Sequence, residues 1–170
     1  MQQKKKKAAE AAFLRVLPSL NKETILGIGT GSTTNFFIEE LNKAKVSIKG
    51  AVCSSEASKA NLESSGIKVM ELNEVYGIDV YVDGADEFNS RFELIKGGGG
   101  ALTREKIVAQ SSKSMIVVAD DRKQVETLGD FDLPVEVLPF EWERTRDRIS
   151  SFCPGAVSYT HLTLPTNPYV

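Results

Sequence analysis

Short apolar segments alternate with segments of helical periodicity along most of this sequence. Residues 115–119, for example, are apolar without interruption, which is the pattern of a strand buried on both faces of a sheet. Strands that alternate with helices form a parallel sheet, because each crossover helix packs back onto a face of that sheet. The pattern therefore indicates an α/β fold with helices on both faces, in which ligands bind beyond the carboxyl ends of the strands.

The same patterns locate the individual elements. We predict helices over residues 4–17, 33–42, 55–64, 103–111 and 141–151. We predict strands over residues 24–28, 48–53, 67–71, 78–82, 115–119 and 134–138, with a loop over residues 87–100. Pro18 is expected to end the first helix, Ser54 or Ser55 to cap the third, and Gly66 to end it.

Composition and charge exclude several classes of protein. The 170 residues are 41% hydrophobic and 26% charged, which suits one globular domain. The net charge is −2, whereas domains that hold nucleic acid by its backbone are basic. No apolar run reaches the ~18 residues of a membrane helix, and no signal-peptide core follows the basic N-terminus. We therefore expect a cytoplasmic protein with neither a nucleic-acid nor a membrane partner.

Rare residues narrow the chemistry further. The two cysteines, Cys53 and Cys153, lie far apart in the sequence, and His161 is the only histidine. This leaves no spacing typical of a zinc site, and almost no material for a catalytic triad or a histidine-rich metal site. Any acid–base catalysis must rest on aspartate, glutamate, lysine or tyrosine.

A glycine-rich turn at residues 27–33 joins the first predicted strand to a helix. Glycines allow a tight turn and expose N–H groups, and the helix N-terminus that follows is partially positive. Thr30, Gly31, Ser32 and Thr33 are therefore candidate ligands of a phosphate. Because Ser32 stands where a dinucleotide-binding fingerprint has glycine, the motif argues against NAD. The alternative is a purely structural turn.

Three carboxylates lie within residues 82–87, at the end of another predicted strand. Asp83 and Asp86 are spaced to accept hydrogen bonds from adjacent sugar hydroxyls, with Gly84 and Ala85 between them. One alternative is a turn in which an aspartate accepts local hydrogen bonds and caps a helix. The other is a magnesium site formed by the same carboxylates.

Four consecutive glycines follow Lys96, and a helix begins soon after them. A backbone that approaches a ligand closely explains Gly97, Gly98 and Gly99 better than a flexible linker does, because regular structure resumes on both sides. Lys96 is placed to stabilise an oxyanion. Glu105 lies in the first helical turn, where a glutamate is also common merely because of the helix dipole.

Two further lysines are candidate phosphate ligands. Lys123 follows the predicted strand at residues 115–119, at its carboxyl end. Lys7 closes the run of four lysines that starts the first predicted helix, and it is the member of the run most suited to reach an anionic ligand. The alternative for both is an ordinary solvated lysine.

Residues 154–170 differ from the rest of the chain. They contain no charged side chain and three prolines, and no strand or helix period continues into them. We expect residues 1–153 to form the folded domain and residues 154–170 to be a disordered tail of non-native sequence. A natural apolar tail that docks on a partner is the alternative.

Taken together, these motifs resemble type A ribose-5-phosphate isomerase. The resemblance rests on residues 27–33, 81–87, 96–106, 119–125 and 133–139, in the order that the family has them. It implies a Rossmann-like α/β fold and the interconversion of D-ribose 5-phosphate and D-ribulose 5-phosphate, without metal or nucleotide cofactor. It also implies a pentose phosphate as the small-molecule partner and a homodimer or homotetramer for the full-length parent.

The resemblance also assigns roles. Glu105 matches the general base that moves a proton through a cis-enediol(ate), and Lys96 matches the residue beside the oxyanion. Asp83 and Asp86 match residues that hold sugar hydroxyls and assist ring opening. The interpretation requires an accessible Glu105 that faces Asp83 and the turn at residues 30–33.

The chain departs from the family after residue 139. Family members continue into a small α+β domain and return to the main sheet. We therefore expect this fold to be incomplete at the C-terminus, and the chain to be poorly stable and weakly active or inactive. A non-catalytic sugar-phosphate-sensing domain, like that of DeoR-type regulators, and a nucleotide-dependent oxidoreductase are the competing functions. The presence of Glu105 argues against the sensor, and the glycine spacing argues against the oxidoreductase.

Overall fold

A computed structural model describes residues 2–130 and 135–157 of the chain. These residues belong to two compact units, the first containing residues 2–130 and the second residues 135–157. Within them, every helix is too short or too polar to cross a bilayer.

The first unit is built on a parallel sheet. Its strands are β1 (Ile25–Ile28), β2 (Gly50–Cys53), β3 (Val80–Asp83), β4 (Glu87–Phe88), β5 (Leu94–Ile95) and β6 (Met115–Val117). Four of them form the main sheet in the order β2-β1-β3-β6, and every neighbouring pair is parallel. The chain moves outward from β1 to β2 and then crosses to β3 on the other side. The carboxyl ends of β1 and β3 therefore flank the point where the strand order reverses, which is where open α/β sheets bind ligands.

Helices cover both faces of this sheet. They are α1 (Gln2–Val16), α2 (Ser32–Lys43), α3 (Glu56–Ser64) and α4 (Leu102–Gln110). One buried cluster joins Leu26, Ile28 and Val82 of the strands to apolar residues of α1, α2 and α3. A second joins Ile25 and Tyr81 to Val108 of α4. Since neighbouring strand residues point to opposite faces, the two clusters lie on the two sides of the sheet, and the predicted α/β class is confirmed.

Local signals account for several helix ends. Pro18 lies in a 3₁₀ turn, Leu17–Ser19, that follows α1. Ser55 caps α3 by accepting a hydrogen bond from the backbone N–H of Ser58, and Gly66 takes a positive φ of 72° just beyond the helix. Pro18 and Gly66 were predicted to end these helices, and Ser55 was one of the two predicted caps.

Several strand predictions were wrong or incomplete. The strand expected over residues 67–71 is reduced to one parallel bridge between Val69 and Ala51, followed by the 3₁₀ turn Leu72–Glu74. β6 is only half-buried, because among the described residues it is an edge strand with β3 as its neighbour. Residues 135–138 form no strand. The expected loop over residues 87–100 contains the antiparallel pair β4 and β5, whose two-residue strands are too short to show an alternation in sequence.

The second unit consists of α5 (Trp142–Phe152) and its flanking segments. Its helix was predicted, and the Arg146 guanidinium lies over the Trp142 ring at 5.3 Å. Of the predicted tail, only residues 154–157 are described, in a turn after α5; residues 158–170 lie outside the described part of the chain. Pro134 lies outside it too.

Candidate active site

Asp83 ends β3 at the strand-order reversal and is completely buried. Its Oδ1 accepts hydrogen bonds from the backbone N–H groups of Thr30 at 3.0 Å and Gly84 at 2.7 Å. Its Oδ2 accepts from the Tyr81 hydroxyl at 2.6 Å and from Lys96 Nζ at 2.9 Å. A carboxylate has about four acceptor positions, and all of them are used here. Because no acceptor position is left, the structure argues against the expectation that Asp83 accepts a hydrogen bond from a sugar hydroxyl.

Lys96 connects Asp83 to Glu105. Its Nζ lies 2.9 Å from Asp83 Oδ2 and 3.1 Å from Glu105 Oε2, and it also donates to the carbonyl oxygen of Gly84 at 2.6 Å. The contact with Glu105 is an ion pair without an aligned hydrogen bond, so Oε2 is buried with no hydrogen-bond partner. The structure thus brings three residues that the sequence singled out into one cluster.

Glu105 faces Asp83 and Thr30, as expected, but the expectation of an accessible carboxyl group, on which its interpretation as a general base depended, is wrong. Only 6% of the residue is exposed, because α4 packs against β3 and Lys96 lies over the carboxyl group. Burial raises the pKa of Glu105, and the nearby charge of Asp83 raises it further; Lys96 and Thr30 act in the opposite direction. A carboxyl group with a raised pKa is suited to take and return a proton near neutral pH.

The pKa of Lys96 is also raised. Burial alone lowers it, but Asp83 and Glu105 favour the ammonium more strongly. Lys96 therefore stays positively charged, with its charge held beside the two carboxyl groups.

Two glycines of the first turn make room for neighbouring side chains. A Cβ on Gly29 would lie 1.9 Å from Asp83 Oδ1, and a Cβ on Gly27 would lie 2.7 Å from the Tyr81 ring. Gly31 has open space around it but a φ of 111°, which a side chain disfavours. The motif thus serves two purposes: it admits Asp83 and Tyr81, and it turns the chain into α2.

The start of α2 forms the open side of the site. Gly31 occupies the N-cap position and provides no side-chain cap, so the first N–H groups of the helix are available to a ligand. Ser32 accepts a hydrogen bond from Lys5 Nζ at 2.6 Å. The lysine at this turn is therefore Lys5; Lys7, the candidate from the sequence, is exposed.

Asp86 anchors the glycine loop. Its Oδ2 accepts a hydrogen bond from the Gly98 backbone N–H at 2.8 Å, and its own N–H donates to Ile95 at 2.8 Å. Gly97 and Gly100 take positive φ values of 105° and 73°, which explains glycine at these two positions.

Lys123 ends the 3₁₀ turn Asp121–Lys123, next to the start of α1. Lys4 of α1 pairs with Asp121 at 2.5 Å. The turn is capped by the buried Asp120, whose pKa is held at about 2, chiefly by its hydrogen bonds with Arg122. Lys123 is half-buried.

Comparison with known proteins identifies the family. The family described as ribose 5-phosphate isomerase A (phosphoriboisomerase A) has a sequence model that matches residues 50–160. The chain belongs to the ribose-5-phosphate isomerase A family. A ribose-5-phosphate isomerase A from Acidithiobacillus ferrooxidans is 54% identical over 136 residues, which cover 80% of this chain and 60% of that protein.

Solved structures of the family agree with the fold. The ribose 5-phosphate isomerase A of Neisseria gonorrhoeae has a TM-score of 0.81 and 43% identity, over 88% of this chain and 66% of its own. A D-ribose-5-phosphate isomerase in complex with phospho-erythronic acid has a TM-score of 0.79 and 37% identity, over 89% of this chain and 67% of its own. The present chain thus spans about 60% of the length of the curated ribose-5-phosphate isomerase A that it matches.

The sequence analysis did not assign three polar residues of this candidate site: Lys5, Ser54 and Tyr81. Lys5 has a signal, because the buried positions of α1 at Ala9, Ala12 and Val16 extend back to residue 5 at helical spacing. Tyr81 also has one, since it lies two residues before Asp83 and therefore on the same face of β3. Ser54 was considered only as a possible helix cap.

Proposed function

We propose that this chain carries the machinery for an aldose–ketose isomerase that interconverts D-ribose 5-phosphate and D-ribulose 5-phosphate. The observation that carries the proposal is the cluster of Glu105, Lys96 and Asp83 beside the first turn of α2. A buried carboxyl group, a fixed cation and an anion-binding helix start are the three elements that this reaction requires.

Glu105 is the general base. It removes the proton from C2 of the open-chain aldose, and the electron pair forms the C1–C2 double bond of a cis-enediolate. Glu105 returns that proton to C1, while one proton leaves the C2 hydroxyl and one joins the C1 oxygen. The raised pKa of Glu105 suits both directions, because the protonated carboxyl must hold its proton between the two steps.

Lys96 stabilises the negative charge on the enediolate oxygen. Its side chain is only 15% exposed, and charge–charge attraction is strong where water is excluded. Asp83 holds this ammonium and the Thr30 backbone in place. Asp86, whose carboxylate also holds the glycine loop, accepts a hydrogen bond from a sugar hydroxyl and assists ring opening.

The phosphate binds at the start of α2. Thr30, Gly31, Ser32 and Thr33 supply backbone and hydroxyl donors, and Lys5 supplies a charge. Lys123 and Lys7 remain proposed ligands, with Gly84, Ala85, Gly97, Gly98 and Gly99 lining the sugar site. A relative of the same fold was solved in complex with phospho-erythronic acid, which supports a phosphorylated ligand for this chain.

Replacement of Glu105 by glutamine tests the proposal. Glu105→Gln should lower the rate of ketose formation by ~10²–10⁴-fold, because it removes the base while conserving shape. Affinity for ribose 5-phosphate should stay within about tenfold, since binding rests on other groups. Glu39→Gln, which removes an exposed carboxylate on α2, is the control. Near-normal turnover by Glu105→Gln would eliminate the general-base assignment.

A further inference from the structure

The peptide group between Gly29 and Thr30 is held at both of its polar atoms. Its carbonyl oxygen, which belongs to Gly29, accepts a hydrogen bond from Ser58 Oγ at 2.5 Å. Its N–H, which belongs to Thr30, donates to Asp83 Oδ1 at 3.0 Å. Because a peptide group is planar, these two bonds together fix the orientation of the whole group. The same peptide group leads directly into the turn at residues 30–33, where the proposed phosphate site begins.

The hydroxyl group of Ser58 differs from those of three serines at the ends of α3 and α4. Ser64, Ser111 and Ser112 each donate to a carbonyl oxygen three or four residues earlier, which is the local bond that helical serines often make. Ser58 instead donates to a carbonyl oxygen 29 residues away in the sequence, and only 1% of the residue is exposed. Its hydroxyl hydrogen therefore serves a contact between elements rather than its own helix.

The hydrogen bonds on the two sides of this peptide group point in the same direction. Ser55 Oγ donates to Ser58 Oγ at 3.0 Å, and Ser58 donates in turn to the peptide carbonyl oxygen. On the other side, the peptide N–H donates to the Asp83 carboxylate. In such a series each bond polarises the next one and strengthens it. The series begins at the cap of α3 and ends on the buried carboxylate that also accepts a hydrogen bond from Lys96.

The glycine at position 29 makes these contacts necessary. A Cβ there would lie 1.9 Å from Asp83 Oδ1, so the turn requires glycine for space. Glycine also has the freest backbone of all residues, and neighbouring groups must therefore select one orientation. The Gly29 N–H donates to the Val82 carbonyl oxygen at 2.8 Å, Asp83 holds the N–H that follows, and Ser58 holds the carbonyl oxygen between them.

We propose that Ser58 is a positioning residue, which fixes the peptide group between Gly29 and Thr30 and, through it, the donors of the phosphate-binding turn. The inference rests on the proposed function and deepens it, because it adds α3 to the elements that serve the reaction. Ser58 is buried and acts through the peptide group, so it is not itself a ligand of the substrate. Donors that are fixed before the phosphate arrives need no reorganisation when it binds.

Ser58→Ala tests the inference by amide hydrogen exchange of the whole chain, which needs no substrate. The variant removes the donor to the peptide carbonyl oxygen, so the peptide N–H leaves Asp83 more often. One net hydrogen bond corresponds to roughly tenfold in an opening equilibrium. The Thr30 amide should therefore exchange roughly tenfold faster relative to the Tyr81 amide. The Tyr81 N–H donates to the Ser114 carbonyl oxygen within the main sheet and reports opening of the whole fold.

Two further variants separate the hydrogen bond from packing and from the general loss of a hydroxyl group. Ser58→Cys fills a similar space with a weak donor, so its Thr30 exchange should resemble that of Ser58→Ala. Ser112→Ala removes a hydroxyl that donates to the Val108 carbonyl oxygen at 2.7 Å, and it should leave the relative exchange of Thr30 unchanged. If the Thr30 amide of either Ser58 variant exchanges no faster than that of the unsubstituted chain, the inference is overturned.

A measurement on the unsubstituted chain covers the case in which the Ser58 variants do not fold. The Thr30 amide should exchange at least roughly tenfold more slowly than the amide of the fully exposed Tyr76, after correction for intrinsic rates. Equal corrected rates would show that the peptide group is not fixed, and would overturn the inference.

Ligand binding separates this inference from the proposed function. Ser58→Ala should bind ribose 5-phosphate up to about tenfold more weakly in isothermal titration calorimetry, because its donors must first be ordered, and Ser112→Ala should bind it normally. Faster Thr30 exchange in Ser58→Ala, together with an unsubstituted chain that neither binds nor isomerises ribose 5-phosphate, refutes the proposed function alone. Isomerisation by the unsubstituted chain, together with an unchanged affinity in Ser58→Ala, refutes the inference alone.

Discussion

Asp83 and Ser32 both lie at the carboxyl edge of the main sheet, yet their surroundings differ in almost every respect. Asp83 is completely buried, and both of its oxygens are saturated with donors. Ser32 is exposed at an uncapped helix start, where one lysine reaches it from α1.

The difference matches two tasks. Charges that stabilise a developing oxyanion are most effective where water is excluded and nothing has to reorganise. Donors that anchor a phosphate must instead be open before the ligand arrives. Substitutions on the buried side should therefore mainly lower stability, whereas substitutions on the open side should mainly weaken ligand binding.

Lys96→Met should affect the buried side most strongly. It leaves Asp83 and Glu105 buried without their cation, and breaking a buried ion pair costs about 3–5 kcal/mol of unfolding free energy. Urea denaturation measures this loss. Lys43→Met, which removes the pair between the exposed Lys43 and Glu40, should cost far less, because water screens the lysine charge. Equal losses in the two variants would show that the buried cluster carries no special energy.

Gly29→Ala tests whether space, rather than flexibility, requires glycine in the first turn. The new Cβ would overlap Asp83 Oδ1, so we expect a loss of about 3 kcal/mol, the upper end of the usual cost of overpacking. Gly99→Ala meets no atom within 4 Å and should change the unfolding free energy by at most about 0.5 kcal/mol. A Gly29→Ala chain as stable as Gly99→Ala would refute the close approach.

Lys5→Met and Lys7→Met compare the lysine that the structure places at Ser32 with the one that the sequence favoured. Loss of one charge-assisted contact should weaken ribose 5-phosphate binding roughly tenfold in Lys5→Met. Lys7 is exposed, and Lys7→Met should bind almost normally. Isothermal titration calorimetry measures both affinities, and a larger loss in Lys7→Met would reverse the assignment.

The parts of the fold and site that the sequence predicts are those with a local signal. Residues 83, 96 and 105 were selected because polar or glycine-rich segments follow apolar ones, and parallel strands bring such segments to one edge. Ser55 and Gly66 were predicted because caps and helix ends depend on one or two residues.

The parts that the sequence did not predict depend on tertiary contacts. Four adjacent lysines do not show which one points inward until α1 is packed. An apolar run such as residues 115–119 does not reveal that β6 is an edge strand. Two of the four donors to Asp83, Thr30 and Lys96, are distant in the sequence, and the burial of Glu105 depends on how α4 packs. The sequence therefore suggested an accessible base where the structure has an enclosed one.

The most direct test of the central claim follows the hydrogen itself. Ribose 5-phosphate carrying deuterium at C2 is converted in ordinary water, and mass spectrometry measures deuterium at C1 of the ketose. Because Glu105 is enclosed, the account predicts that part of the deuterium reaches C1 before it exchanges with water, and that conversion is lost in Glu105→Gln. Conversion by Glu105→Gln at the same rate, with the same deuterium content at C1, would contradict it.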